Sequence, residues 1–414
     1  MKITEIEIHK IHPPLQAWNR NALKLYRGAT ADTRTIVVLH TDTGLQGLGE
    51  IGWPTDDEAL KLELEQLRGT NPCRWLAHSS LQIGIAPAIY DLVAQANDVP
   101  VYQLFGQLMR SWVPVAYWTV SQTPAKMADE VQHAVAQGYT WLKYHTHHFH
   151  NVIDQTRAMQ EMAPPGFKIH YDMNFDNTVE HILGVAGDLC QFPIAGLIED
   201  PLRNFDLDGY KHLRQKCPLP IVFHHLPLGG REALMGLADG YMLGHAAVGH
   251  VIRRAGLFEA ANVPFMMQNS GGNITRAFVV HMAAAFDRAT LHHVTLSHLW
   301  EEDVVRPAFE VIGGQVAVPE KPGLGMTLDR DGLERLKAAM PEPAPKALIR
   351  IQCEKGPNTF ARPPLARHPH LQPNMVPTAG EGYDLRVDQD YWFDDGSKEF
   401  NELWALTEQE AVSR

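Results

Sequence analysis

The 414 residues contain only four cysteines, Cys73, Cys190, Cys217 and Cys353, far apart and never spaced C-x-x-C. That scatter argues against a disulfide framework and a thiolate-bound zinc, and it fits a reducing compartment. No block of lysine and arginine occurs, and 36 basic residues against 48 acidic ones leave a net charge of −12. Nucleic acid and anionic membrane therefore find no electrostatic footprint, so neither is an expected partner. An anionic substrate would need local positive charge from lysine, arginine or a metal ion. No apolar run approaches a membrane span, and the opening "MKITEIEIHKIHPP" alternates like a strand without the apolar centre of a leader. The expected location is the cytoplasm. The remaining composition, 45% apolar and 20% charged, suffices for one large core or two domains.

From about residue 114, short apolar runs alternate with amphipathic stretches that carry helix start signals. "PVAYWTV" reads as a strand, and "TPAKMADEVQHAVAQG" as a helix with Thr123 as cap, Pro124 at its first position and a glycine stop. The alternation continues through "YTWLKYH", "FKIHYDMN", "IAGLIED", "LPIVFHH", "GYMLGH", "VPFMMQN" and "LHHVTLSHL", about eight strand-like and seven helix-like units in all. Such repetition predicts a parallel sheet, and eight strands predict its closure into a TIM-like (β/α)7β barrel. Polar residues gather where the strands end: Lys143 and His145, Asp172 and Asn174, Glu199, His225, Gly244 and His245, Gln268, and His298. The first four ends are spaced by 172−143 = 29, 199−172 = 27 and 225−199 = 26 residues, one strand-helix unit each.

Residues 1–113 read differently, as an α+β capping domain of three strand-like runs followed by "DDEALKLELEQL" and "APAIYDLVAQA". Residues 114–312 are assigned to the barrel. Residues 345–414, rich in proline, histidine and acid before the helix-like "SKEFNELWALTEQEA", read as an extended C-terminal arm on the barrel or on a neighbouring subunit.

Over about residues 1 to 340 the chain resembles the enolase superfamily, in its mandelate racemase and muconate lactonizing branch. The resemblance rests on "HTDTGLQGLGE" (40–50), "APAIYDLVAQANDVPVYQLFGQLMR" (86–110), Asp172 with Asn174, "IEDP" (198–201) and "GGQVAVPEKPGLGMTLD" (313–329). It implies that residues 313–344 return the chain to the cap. It also implies a shared first step: a divalent cation, usually Mg²⁺, held at the ends of barrel strands three, four and five, stabilises the enediolate formed when a base removes the proton α to a carboxylate. Charge develops on the carboxylate oxygens in that step, where a fixed dication lowers the barrier. Cap loops around Trp18 to Arg27 and Gly52 to Thr55 would close over the substrate, which makes Trp18, Arg27 and Trp53 expected contacts.

Asp172 and Glu199 match the first two metal-ligand positions. At the third, the family pattern "PIalgE" becomes "PIVFHH", placing His225 there with His224 beside it. An imidazole in place of a carboxylate leaves the site more positive and suits Mn²⁺ or another softer ion better than Mg²⁺. Asn174 would face the substrate or a metal-bound water. The family's second strand ends K-x-K, and here it reads Lys143, Tyr144, His145. Alternation turns Lys143 and His145 inward and Tyr144 away, which makes His145 the expected base and Lys143 its neighbour at the substrate carboxylate. In "WLKYHTHHFH", His147, His148 and His150 fall past the strand end and read as loop residues.

The opposite side lacks the family's usual partners. The His-Asp dyad positions of strands six and seven align with Gly244 and Gln268, and no lysine stands in for them. His245 could serve only if the strand slid by one residue. Gln268 forms hydrogen bonds but carries no proton near neutrality. On strand eight, His298 or Glu301 falls near the electrophile position. Racemisation through an enediolate calls for a base on each face, whereas one group can both take an α-proton and return it to a departing β-hydroxyl. The expected activity is therefore dehydration of a small-molecule sugar acid, with racemase, epimerase or cycloisomerase as alternatives, or a carboxylate binder that has lost turnover. A homo-oligomer is expected.

Overall fold

A computed structural model describes residues 1–28, 31–52, 54–146, 150–174, 177–353, 356–364 and 387–414. The chain begins with an antiparallel sheet of β1 (Ile3–Ile11), β2 (Arg34–Thr41) and β3 (Gln46–Ile51), with helix α1 (Arg20–Arg27) between the first two strands. Helix α2 (Asp57–Glu65) follows, and the side chain of Asp56 caps it by accepting from the amides of Glu58 and Ala59. Helix α3 (Ala86–Ala96) lies on β3 so closely that a Cβ at Gly47 would stand 2.2 Å from the Ala88 carbonyl oxygen, which is why β3 carries glycine there. Asp91 of α3 accepts from the amides of Leu48 at 3.1 Å and Leu324 at 2.9 Å, tying the returning chain to this cap.

The barrel strands are β4 (Trp112–Val120), β5 (Trp141–His145), β6 (Lys168–Asp172), β7 (Ala195–Glu199), β8 (Ile221–Phe223), β9 (Gly240–Gly244), β10 (Phe265–Asn269) and β11 (His293–Thr295). Between them run α4 (Pro124–Ala136), α5 (Val152–Met162), α6 (Val179–Leu189), α7 (Leu207–Lys216), α8 (Glu232–Met235), α9 (Val248–Ala260) and α10 (Asn273–Ala285). Each strand pairs in parallel with the next, and β11 pairs back onto β4 with His293 opposite Val115, which closes the barrel as the strand-helix repetition predicts. Strand Gln315–Ala317 adds an antiparallel edge on β4.

The period of two along each strand sorts the core into two layers. Tyr117, Tyr144, Tyr171, Ile198, Phe223, Tyr241 and Phe265 face the helices. Ala116, Trp118, Leu197, Val222, Met242, Met266 and Val294 fill the interior. Each such buried apolar side chain contributes about 1.5–3 kcal/mol. The interior is apolar below and turns polar at the C-terminal strand ends, so the chemistry sits on a rigid floor.

The segment expected as an extended arm folds instead as a small module. Strands Ala347–Cys353, Thr359–Ala361, Val387–Phe393 and Val412–Ser413 form a four-stranded antiparallel sheet. Helix Lys398–Leu406 covers one face, packing Phe400 and Leu403 on Leu348 and Phe360. Among the described residues, no helix is long and apolar enough to cross a membrane.

Candidate active site

Alternation along β5 sends Lys143 and His145 into the barrel, while Tyr144 points outward and donates to Gln155 Oε1 at 3.0 Å. Lys143 is fully buried, with Nζ 2.6 Å from Glu199 Oε2 and 3.0 Å from Asp172 Oδ2. It also donates to Gln268 Oε1 at 2.6 Å. Burial alone would lower the pKa of this ammonium, but Asp172 and Glu199 outweigh it and hold the pKa above its ordinary value. Glu199 is held well below the usual carboxylate range because Lys143 and His170 overcome the opposing effect of burial.

Two imidazoles complete the surroundings of Glu199. His170 Nε2 lies 2.6 Å from Oε2, and His224 Nδ1 lies 3.0 Å from Oε1. These are ion-pair distances without hydrogen-bond alignment, so both Glu199 oxygens and His170 Nε2 are buried without a well-directed hydrogen bond. Behind His170, Nδ1 meets His292 Nε2 at 2.9 Å, and His292 is stacked on Trp141 with 4.0 Å between ring centroids.

His224 explains the glycine at the end of β9. A Cβ at Gly244 would stand 2.1 Å from His224 Nε2, so the place where the family carries an acid or lysine is filled by an imidazole from the neighbouring strand. Gly244→Ala is therefore expected to drive His224 out of place and cost about 1–3 kcal/mol of stability, the usual cost of overpacking. Thermal unfolding, together with titration of a divalent ion into the variant, checks this. Wild-type behaviour in both would show that His224 does not need the gap.

The third expected ligand, His225, stands beside Asp200 rather than Glu199. Val222 faces the interior, so the next inward side chain is His224, and His225 turns away. His225 Nδ1 pairs with Asp200 Oδ2 at 2.6 Å, and its side chain is 51% exposed. The backbone amide of His224 donates to Asp200 Oδ1 at 2.8 Å. Asp200, His224 and His225 do offer ligand atoms within 4.8 Å of one another, but both Asp200 oxygens are already engaged.

His298 also lies elsewhere. The chain leaves β11 in a short helical turn, Ser297–Leu299, which swings the imidazole outside the barrel against Tyr117, ring centroids 4.1 Å apart, with Nε2 2.9 Å from the Trp118 carbonyl oxygen. Trp18 likewise sits on the outer side of the barrel, stacked on His133 of α4 at 3.9 Å and donating to Tyr117 Oη at 3.0 Å.

The other expected residues are at or near the strand ends. His145 Nδ1 is 2.8 Å from Tyr26 Oη, and its Nε2 is 3.3 Å from Asp172 Oδ2. Burial lowers the His145 pKa to about 4, so the ring is neutral at pH 7. The Arg27 guanidinium lies over the Tyr26 and Trp118 rings, 5.7 and 5.5 Å from their centroids. Asn174, with φ of 52°, donates from Nδ2 to the carbonyls of Thr146 and Asp172, at 3.0 and 3.1 Å, and so closes the end of β6. His245, with φ of 49°, lines a cavity of about 280 Å³ between Gly52 of the cap and Asn269 of β10. Trp53, His147 and His148 lie outside the described residues.

Glu199 thus lies against Lys143, His170 and His224, and Asp172 shares the Lys143 ammonium. Among the described residues, the acidic and imidazole groups whose ligand atoms all come within 4.8 Å of one another are Asp200, His224 and His225. Both Glu199 oxygens lack a well-directed hydrogen bond, and carboxylate oxygens beside an imidazole nitrogen suit Mn²⁺ at least as well as Mg²⁺. Sequence reasoning missed His170, Asp200 and Tyr26 as members of this site. It placed the α1 loop over the barrel without singling out Tyr26, and inward alternation from Asp172 would have pointed to His170.

A family described as enolase C-terminal domain-like matches residues 126–332. An arabinonate dehydratase from Saccharolobus solfataricus is 21% identical over 262 residues, covering 60% of this chain and 70% of its own. An N-succinyl-L-Arg/Lys racemase from Bacillus cereus is 24% identical over 375 residues, covering 81% of this chain and 98% of its own. The crystal structure of a mandelate racemase/muconate lactonizing family protein from Azoarcus sp. EbN1 superposes with a TM-score of 0.66 at 21% identity, covering 82% of this chain and 98% of that one.

Proposed function

Because the chain belongs to the mandelate racemase and muconate lactonizing branch of the enolase superfamily, we propose that it dehydrates a sugar acid to a 2-keto-3-deoxy acid. The observation that carries this reading is asymmetry. His145, neutral and directed at Asp172, stands on one side, while the opposite strand ends present Gly244, filled by His224, and Gln268, already bound to Lys143.

His145 Nε2 takes the α-proton and delivers it to the β-hydroxyl, which leaves as water while the C–O bond breaks. The enol that remains rearranges to the keto acid. Lys143 supplies buried positive charge beside the carboxylate of the substrate, and Arg27 and Asn174 stand at the rim where its further oxygens would lie. Asp172, Glu199 and His224 would hold a divalent cation, which when bound stabilises negative charge developing on carboxylate oxygens. The dehydratase relative supports the reaction type, and the racemase relative keeps an isomerase as the second reading.

The test is to incubate the purified protein with Mn²⁺ or Mg²⁺ and a library of aldonic and aldaric acids, and to assay 2-keto-3-deoxy products. Dehydration of one or a few acids is expected. Deuterium entering the α-carbon from solvent without loss of water would move the assignment to an isomerase, and neither outcome would leave a carboxylate binder.

A further inference from the structure

The C-terminal module extends beyond the residues matched by the family, which end at 332, yet it touches the helix that roofs the site. Lys24 of α1 is buried and donates from Nζ to Asp32 Oδ2 at 2.9 Å and to the Glu342 carbonyl oxygen at 2.5 Å. The Glu342 amide closes the triangle by donating to Asp32 at 3.2 Å, and Arg20 pairs with the Glu342 carboxylate at 2.8 Å. At the other end of α1, Gly28, with φ of 97°, faces Pro364, whose Cγ lies 3.4 Å from where a Cβ would be. Tyr391, in strand Val387–Phe393 of the module, lies near enough to Tyr26 for the two phenols to influence each other. Helix α1 is thus held at one end by Glu342 of the return segment and at the other by Pro364 of the C-terminal module.

The residue so held is Tyr26. Its hydroxyl is 2.8 Å from His145 Nδ1, and this is its one hydrogen bond among the described residues. Trp118 meets the same imidazole edge-on, with 5.2 Å between ring centroids, so the ring plane is fixed on a second side. A histidine that is to accept a proton at Nε2 must carry its hydrogen on Nδ1, and that hydrogen needs an acceptor. Tyr26 Oη is in place to be that acceptor, and among the described residues no backbone carbonyl reaches Nδ1 to take its part.

We propose that Tyr26 is a positioning residue that sets the tautomer of His145, and that the chain after the barrel keeps it there by clamping α1 through Glu342 of the return segment and Pro364 of the C-terminal module. This rests on the reading of His145 as the base, but it concerns an arrangement that exists with or without turnover. The extra module then has a catalytic purpose: it adds to the hold that α1 already has through Leu23 packed into the barrel interior.

The experiment uses the full chain labelled with ¹⁵N-histidine. In the wild type the His145 nitrogens are expected to report hydrogen on Nδ1. In Tyr26→Phe, which keeps the ring and removes the hydroxyl, the signal should shift to the Nε2–H form or to a mixture. Where turnover has been found, kcat should fall about tenfold to a hundredfold with KM within about twofold, as for a misplaced catalytic group. In Pro364→Gly and Glu342→Gly, amide hydrogen exchange across residues 20–28 should accelerate, and the His145 signal should broaden towards that of Tyr26→Phe, while the thermal midpoint of the barrel holds. An unchanged His145 tautomer in Tyr26→Phe would overturn the positioning role. Unchanged exchange in α1 in both module variants would overturn the clamp. A wild type that turns over no acid sugar but shows the tautomer change would defeat the proposed dehydration and leave this inference standing.

Discussion

His145→Gln should lower kcat about 10²- to 10⁴-fold with KM nearly unchanged, the range a positioned general base contributes. Glutamine keeps much of the imidazole's reach and can still meet Tyr26, but it cannot take a proton at neutral pH. The neighbouring charges should barely notice the change. Lys143 is held by Glu199 at 2.6 Å and Asp172 at 3.0 Å, and neither contact runs through His145. Divalent-ion content and unfolding temperature should therefore match the wild type, which separates loss of a base from loss of the site. Incorporation of solvent deuterium at the α-carbon should fall in parallel with dehydration if one group does both transfers. If exchange persists while dehydration stops, a second base operates. His245 would then be the first candidate, since burial lowers its pKa to about 4 and leaves it neutral at the mouth of the barrel. Undiminished turnover in His145→Gln would remove it from the chemistry altogether.

The barrel was legible because its signals are local. Strand alternation, the Thr123–Pro124 start of α4 and the spacing from Lys143 to Glu199 each lie within a few residues of what they determine. Asp172 and Glu199 were legible for the same reason, as charged residues closing apolar runs. The sequence says less where regularity stops. β8 is three residues long, Ile221–Phe223, so the family's spacing pointed to His225 while the inward face, counted from Val222, belonged to His224. Past Leu296 the chain turns into a helical turn, so strand alternation no longer says where His298 points. In the C-terminal region the proline- and histidine-rich stretch dominates composition and hides the strands "ALIRIQC" and "VDQDYWF", which pair with each other across more than thirty intervening residues. Tyr26 is the harder case. Its role depends on a contact 119 residues away along the chain, and no local pattern announces that.

His224→Ala and His225→Ala are expected to part company in divalent-ion binding. Removing an outer partner of a metal site commonly costs 10- to 100-fold in affinity, so loss of a direct ligand should cost about a hundredfold or more in His224→Ala. His225→Ala should cost about tenfold, the lower end of that range, since it reaches the site only through Asp200 and the His224 ring. Asp200 would keep the His224 amide at 2.8 Å, so the backbone that carries His224 stays anchored in that variant. Calorimetric titration with Mn²⁺, backed by elemental analysis of the purified proteins, distinguishes the two. Equal losses would favour an ion shared by Asp200, His224 and His225, whose ligand atoms lie within 4.8 Å of one another. A loss confined to His225→Ala would restore the ligand set read from the family's spacing. The expected asymmetry follows from charge as much as from direction. Asp172 and Glu199 already share the ammonium of Lys143, so their charge is partly neutralised before any ion arrives. Under that competition an imidazole at Glu199 Oε1 matters more than it would beside two free carboxylates. The glycine at 244 that makes room for it then belongs to the same design.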